Sequence, residues 1–255
     1  MKPLLLFTLI TFLFTAATQA GISIVGNLAR TTTLNSGDSF EGVILVRNND
    51  KEPADIRLSQ CDYLFQSDGS NDYAEAGKTP RSNAGWLTVS PLRVKIAPGE
   101  TLPIRYKGKA PADPKLQGTY WSMILVEPNS VAALAPDGKP EQVAVGLATT
   151  IRFAIQIVTQ FGNSGTRSLQ VTDKRLVQAD GKRMLQLDIA NDGERLLIPQ
   201  VTVELFDQGG ASVGRFEAGR ARIYPACSVR AKVDLTGVPA GKYAAMVLPT
   251  AARHR

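Results

Sequence analysis

Residues 143–158 read Val-Ala-Val-Gly-Leu-Ala-Thr-Thr-Ile-Arg-Phe-Ala-Ile-Gln-Ile-Val. Large apolar side chains at Val143, Val145, Leu147, Ile151, Phe153, Ile155 and Ile157 share one parity, while Ala144, Gly146, Ala148, Thr150, Arg152, Ala154 and Gln156 share the other. A period of two is the repeat of an extended chain, so the stretch predicts a β-strand with one oily face. The run is far longer than the usual strand of about five or six residues. Its surplus offers Val143, Val145 and Leu147 as alternating plugs beside free backbone groups, the physical form required to add a strand to another protein. The competing reading is an ordinary core strand whose apolar face is consumed at home.

Outward from this run the same period recurs. Alternating stretches cover 40–47, 56–63, 86–90, 92–96, 102–107 and 119–126, then 169–178, 184–190, 196–206, 212–217, 229–235 and 242–248. Between them lie Asn48-Asn49-Asp50, Asp180-Gly181, Asn191-Asp192-Gly193 and Gly209-Gly210, whose residues tolerate positive φ, and Ala97-Pro98-Gly99, which joins fixed to free backbone. No twelve-residue stretch after the leader has helical periodicity. The chain is therefore expected to be all-β. Gly118-Thr119-Tyr120 and Gly241-Lys242-Tyr243 each place a tyrosine two residues after a glycine at the start of an apolar strand, as in the tyrosine corner of immunoglobulin-like sandwiches. Two copies predict two tandem immunoglobulin-like β-sandwiches, 21–160 and 161–255, with the boundary near the Gly- and Ser-containing stretch 161–165. After the second corner strand only 249–255 remain, so the second sandwich is expected to lack its last strand and to leave an edge open.

Composition narrows the function. Residues 1–20 carry Lys2, an apolar run from Leu4 to Phe14 and a small-residue zone ending at Ala20, the pattern of a cleaved signal peptide. That run is too short to span a bilayer, which takes about 20 apolar residues. The mature chain is thus expected in an extracytoplasmic space, without membrane insertion. The formal net charge of +6 is mild and no basic run interleaves with aromatics, which argues against nucleic acid as a partner. Only Cys61, Cys227 and His254 could serve as soft metal ligands, and His254 lies in a basic tail expected to fray, so neither a zinc cluster nor histidine-based catalysis is expected. Residues 68–72 (Asp-Gly-Ser-Asn-Asp) lack the downstream acid of a calcium loop and read as a turn. Cys61 and Cys227 fall in different predicted sandwiches and read as separate thiols. With no paired carboxylates in evidence, no catalytic residue, cofactor, metal or small-molecule substrate is predicted.

Three segments resemble the periplasmic chaperones of the pilus chaperone/usher system: Leu28-Ala29-Arg30-Thr31; the run 90–101 with Ile104-Arg105; and 120–128, followed by a loop and the alternating strand. The resemblance covers roughly 22–158. It implies a non-enzymatic periplasmic chaperone whose partner is an exported pilin-like subunit, with an outer-membrane usher as a further partner. It also implies that Arg30 and Arg152 anchor the subunit's C-terminal carboxylate, while Val143, Val145 and Leu147 complete the subunit's fold. A guanidinium suits this role because it grips a carboxylate through two parallel hydrogen bonds. The chain departs from the family in having arginine at 152, where lysine is common, and in its Gly118-Thr119 pair. The stretch 64–83 is also longer, and the second domain shorter. The alternative is a structural or adhesive envelope protein whose tandem sandwiches bind a cell-envelope polymer or protein through the loop 64–83.

Overall fold

The computed structural model describes residues 21–128 and 151–251. Strands β1 (Ile22–Val25), β3 (Ser39–Asn48), β8 (Thr101–Lys109) and β6 (Leu87–Ser90) form one sheet in that order. Facing it, β2 (Ala29–Leu34), β10 (Phe153–Phe161), β9 (Gly118–Pro128), β4 (Ala54–Phe65) and β5 (Asn71–Glu75) form a second, with β7 (Arg93–Ile96) also on β4. Only the β2–β10 pair is parallel among the described pairings of this sandwich. The alternation seen in the sequence turns Ile44, Val46, Ile104 and Tyr106 inward from one sheet to meet Ile56, Leu58, Ile124, Val126, Ile155 and Ile157 from the other.

The second sandwich sets β11 (Leu169–Ala179), β12 (Lys182–Asn191) and β15 (Ser228–Asp234) against β14 (Ser212–Glu217), β13 (Pro199–Phe206) and β16 (Ala244–Ala251). Leu187, Ile189, Val201, Val203, Leu205, Ile223 and Val233 fill it. The molecule is all-β, with two immunoglobulin-like sandwiches, and its described residues include no α-helix, only a 3-10 turn at Ala84–Trp86. Among the described residues β16 pairs with β13 alone, and no described strand closes the second sandwich beside it.

Several local expectations are corrected. Tyr243 makes the corner, its hydroxyl donating to the Pro239 carbonyl at 3.0 Å. Tyr120 does not do so with any described residue; its ring is packed between Trp86 and Phe161, with the Arg81 guanidinium over its face. Much of the stretch read as a long loop, 64–83, is a hairpin in which β5 folds back on β4 from Cys61↔Glu75 to Phe65↔Asn71. The alternating strand of 143–158 starts, within the described residues, at Phe153 and runs on to Phe161. Ile151, expected on the inward parity, is 61% exposed just before it. Residues 1–20 and Val143, Val145 and Leu147 lie outside the described residues.

The two sandwiches meet on the outer face of the β2–β10–β9–β4–β5 sheet. Trp121 and Val158 are buried in the second core, with Leu64 and Phe65 packed against it, and Trp121 stacks on Tyr224 with centroids 4.8 Å apart. Beside this contact the Thr119 N–H donates to the Glu194 carbonyl (2.8 Å) and the Leu196 N–H to the Thr119 hydroxyl (2.9 Å). Arg195 donates to the Gly162 and Ser164 carbonyls. Only glycine permits this approach: a Cβ on Gly165 would stand 2.6 Å from the Gly118 Cα, and one on Gly118 2.2 Å from the Glu194 carbonyl oxygen.

Candidate functional site

Along β10 the odd residues Phe153, Ile155, Ile157 and Phe161 enter the first core, so the even ones face outward. Val158 is covered by the second sandwich, and Gln156 accepts a hydrogen bond from the Tyr224 hydroxyl at 2.7 Å. One step further, Ala154 has too small a side chain to fill the space. Two hollows share Ala154 in their lining. One is lined by Tyr73, Leu125, Glu127, Pro128 and Arg152, the other by Asn27, Leu28, Ala29, Gln156 and Arg222. Beneath lie the buried side chains of Cys61, Met123 and Leu125.

Among the described residues the strand edge is unpaired at the same place. β2 pairs with β10 only from Gln156 onward, the Gln156 N–H donating to the Leu28 carbonyl at 2.8 Å. Phe153, Ala154 and Ile155 pair with β9 on one side and, among the described residues, with no strand on the other. A groove with an apolar floor, charged walls and a strand edge that no described strand pairs is suited to an extended peptide.

Arg152 stands on the groove wall, its guanidinium paired with the Glu127 carboxylate across the ladder; the arginine side chain is 59% exposed and the glutamate 17%. Arg30 is elsewhere. It lies opposite Ile157, hence on the core-facing parity with Leu34, and donates to the Asn27 carbonyl. Its cation opposes the rise that burial imposes on the Tyr106 phenol. Five strand positions separate Arg152 from the residue beside Arg30, about 16 Å at the rise of an extended chain. Opposite parity and this separation mean that the two arginines are not brought together.

Arg222 was not among the residues singled out from the sequence. It lies between β14 and β15, a segment anchored by the reciprocal hydrogen bonds of Leu197 and Ile223. The fully buried Ile223 and Tyr224 follow it, so Arg222 itself remains exposed on the groove. Burial pushes the Tyr224 phenol up to about 12 although the Arg222 guanidinium beside it pulls the other way. No periodic pattern marks 218–227, which is why this position was silent in the sequence.

The two cysteines are free and buried, as separate thiols. Burial raises both, Cys227 to about 11.

No family model matches the chain, and no curated protein matches it. Solved structures with a similar course of the chain include one from the chaperone–tip adhesin complex of CFA/I fimbriae biogenesis (16% identity, 91% of this chain and 100% of that one, TM-score 0.48). The class 5 fimbriae chaperone CfaA is similar at 15% identity, over 90% of this chain and 100% of that one, with a TM-score of 0.46. PapD-like domain 7 of human CEP192 matches at 16% identity, over 64% of this chain and 99% of that one, with a TM-score of 0.37. At such identities and TM-scores the functional argument rests on the groove itself.

Proposed function

We propose that this protein is a periplasmic chaperone, not an enzyme, exported by a cleaved leader at 1–20. It binds an exported pilin-like subunit by lending it the alternating strand with Val143, Val145 and Leu147. An outer-membrane usher is the natural receiver of such a complex. The observation that supports this most directly is the edge of β10 at Phe153–Ile155, which no described strand pairs and which lies in the second half of the alternating run. An extended partner continuing along that edge would gain ladder hydrogen bonds and cover the groove floor. Arg152 stands on the wall where the partner's terminal carboxylate would arrive. Arg30, held by the Asn27 carbonyl, would serve as a second anchor only after leaving that partner.

The test is co-expression with exported proteins encoded beside this one, followed by co-purification. The wild-type chain is expected to retain a partner. Ala154→Trp, which fills the groove, and Arg152→Ala, which removes an exposed cation, are expected to lose most of it while keeping the wild-type unfolding transition. Undiminished capture by Ala154→Trp would overturn the groove as the binding site. Undiminished capture by both Arg152→Ala and Arg30→Ala would overturn the assignment of these arginines as anchors.

A further inference from the structure

We propose that the second sandwich carries an anion site of its own, a hollow rimmed by Arg220, Arg230 and Lys232 that takes a phosphate monoester with an apolar substituent. Every residue lining it belongs to 161–255 and none lines the hollows at Ala154, so the site stands or falls independently of the peptide groove.

The hollow, about 300 Å3, lies between the start of β13 (Pro199 and Val201), the segment 219–221 and β15. Strand parity gives it two kinds of wall. Val229 and Ala231 pack on the second core, in which Val201 is buried, so the floor is apolar. Arg230 and Lys232 have the other parity, and Arg220 stands exposed on the connecting segment, so the rim is cationic. Among the described residues no Asp or Glu lines it. Its volume is at the small end of ligand sites, which run from about 300 to 1,000 Å3 and pair an apolar bed with a few polar groups.

The rim is prepared for a ligand. Asp188 grips the Arg230 guanidinium through two hydrogen bonds, from Nε at 2.7 Å and Nη2 at 2.8 Å, which fixes its plane and leaves Nη1 without a described acceptor. Arg220 and Lys232 have no ion-pair partner among the described residues, so their charge is unbalanced. The backbone N–H groups of Gly219, Arg220 and Ala221 donate to no described carbonyl, which leaves consecutive donors on the same stretch for an oxyanion. The wider field agrees: residues 161–255 hold fourteen Arg and Lys against nine Asp and Glu, whereas 21–160 hold fourteen of each.

The class of anion follows from these charges and donors. A phosphate monoester is close to a dianion at neutral pH, its second pKa being about 6, and presents three acceptor oxygens. The two unbalanced cations match that charge; the guanidinium fork takes two oxygens at once, and the lysine adds a point charge. A carboxylate, with one charge and two oxygens, leaves part of the rim unmatched. An apolar substituent on the ester covers Pro199, Val201, Val229 and Ala231 and takes that floor out of water.

The test uses the whole mature chain, titrated with phenyl phosphate, inorganic phosphate and benzoate and followed by NMR at the backbone amides of 219–221 and 229–232. Phenyl phosphate is expected to saturate with a Kd on the order of 1 mM, and about tenfold more tightly than inorganic phosphate, which lacks the ring, or benzoate, which lacks the second charge. Arg220→Ala and Lys232→Ala should each weaken it about tenfold. Lys242→Ala, which removes an exposed charge outside the lining, should leave it unchanged. Vesicles separate two sources of such a group. Pelleting with phosphatidic acid in phosphatidylcholine, lost in the Arg220→Ala/Lys232→Ala double variant, would assign a lipid headgroup; phenyl phosphate binding without pelleting would assign a soluble ester. Benzoate binding as tightly as phenyl phosphate would overturn the phosphate assignment, and inorganic phosphate doing so would overturn the apolar bed. Binding undiminished in the double variant, or weakened equally by Lys242→Ala, would overturn the site.

Discussion

Asn48 and Asn191 perform one task in two places. Each ends a ten-residue strand, β3 and β12, is buried, and spends its side-chain amide on two carbonyls: Glu52 and Ile96 for Asn48, Arg195 and Ile223 for Asn191. Each side-chain oxygen accepts a backbone N–H two residues on, from Asp50 and Gly193. In the sequence these positions were legible only as turn residues. Their distant carbonyl partners were not, because a hydrogen bond across 32 or 48 positions leaves no local pattern. Asn191→Ala would strand the Arg195 carbonyl and the Gly193 N–H and take one of two hydrogen bonds from the Ile223 carbonyl; leaving a buried group unpaired costs about 1–3 kcal/mol before relaxation and water entry. A loss of about 2–4 kcal/mol in urea unfolding is expected, against under about 0.5 kcal/mol for an exposed control such as Gln178→Ala. A loss below about 1 kcal/mol would show that the network is dispensable.

Among the elements, β16 shows most plainly what a missing neighbour does. Its run Ala-Ala-Met-Val-Leu-Pro-Thr-Ala carries no charge, although exposed edges are ordinarily guarded by lysine, proline or a bulge. Pro249 is the one guard present, near the far end. Val247 turns inward to the core while Met246, opposite Glu204, is half exposed. Met246→Lys would place a cation beside Glu204 and on the open edge. It is expected to keep the unfolding midpoint within a few degrees and to abolish concentration-dependent association in sedimentation velocity. A wild-type chain that stays monomeric at high concentration would contradict this view of the edge. The element reading from sequence was strongest where both faces had clear character, as in β3, β8 and β9. It was weakest at β10, where periodicity marked the parity correctly from Phe153 to Ile157 yet could not mark where pairing begins.

For the whole molecule, the decisive contact is the junction built on Glu194. Its carboxylate accepts the Thr166 N–H (3.0 Å) and the Gln117 amide (2.8 Å) and pairs with Arg81 at 3.0 Å, so one side chain binds both sandwiches. The Thr166 hydrogen bond, with the Gln117 and Arg81 interactions behind it, holds this carboxyl below the usual glutamate range. A depressed folded value means a contribution that is present above the unfolded value, about 4.3, and is lost as pH falls through the folded one. Protection of the Thr119 and Leu196 amides from hydrogen exchange, relative to their intrinsic rates, is therefore expected to fall as the pH drops through the depressed folded value, ahead of that of the amides of β3 and β8. Glu194→Gln should show fast exchange already at neutral pH and no further acid step; an acid step retained in that variant would assign it to another group. The sequence by itself determined the all-β class, most strand parities and the turns, because each depends on the spacing of neighbours along the chain. Only the tertiary structure decided that Arg30 and Arg152 stand apart, that Glu127 already holds Arg152, and that Arg222 reaches the groove. Those facts depend on register between strands far apart in sequence, and on the closeness that Gly118 and Gly165 allow between the two sandwiches.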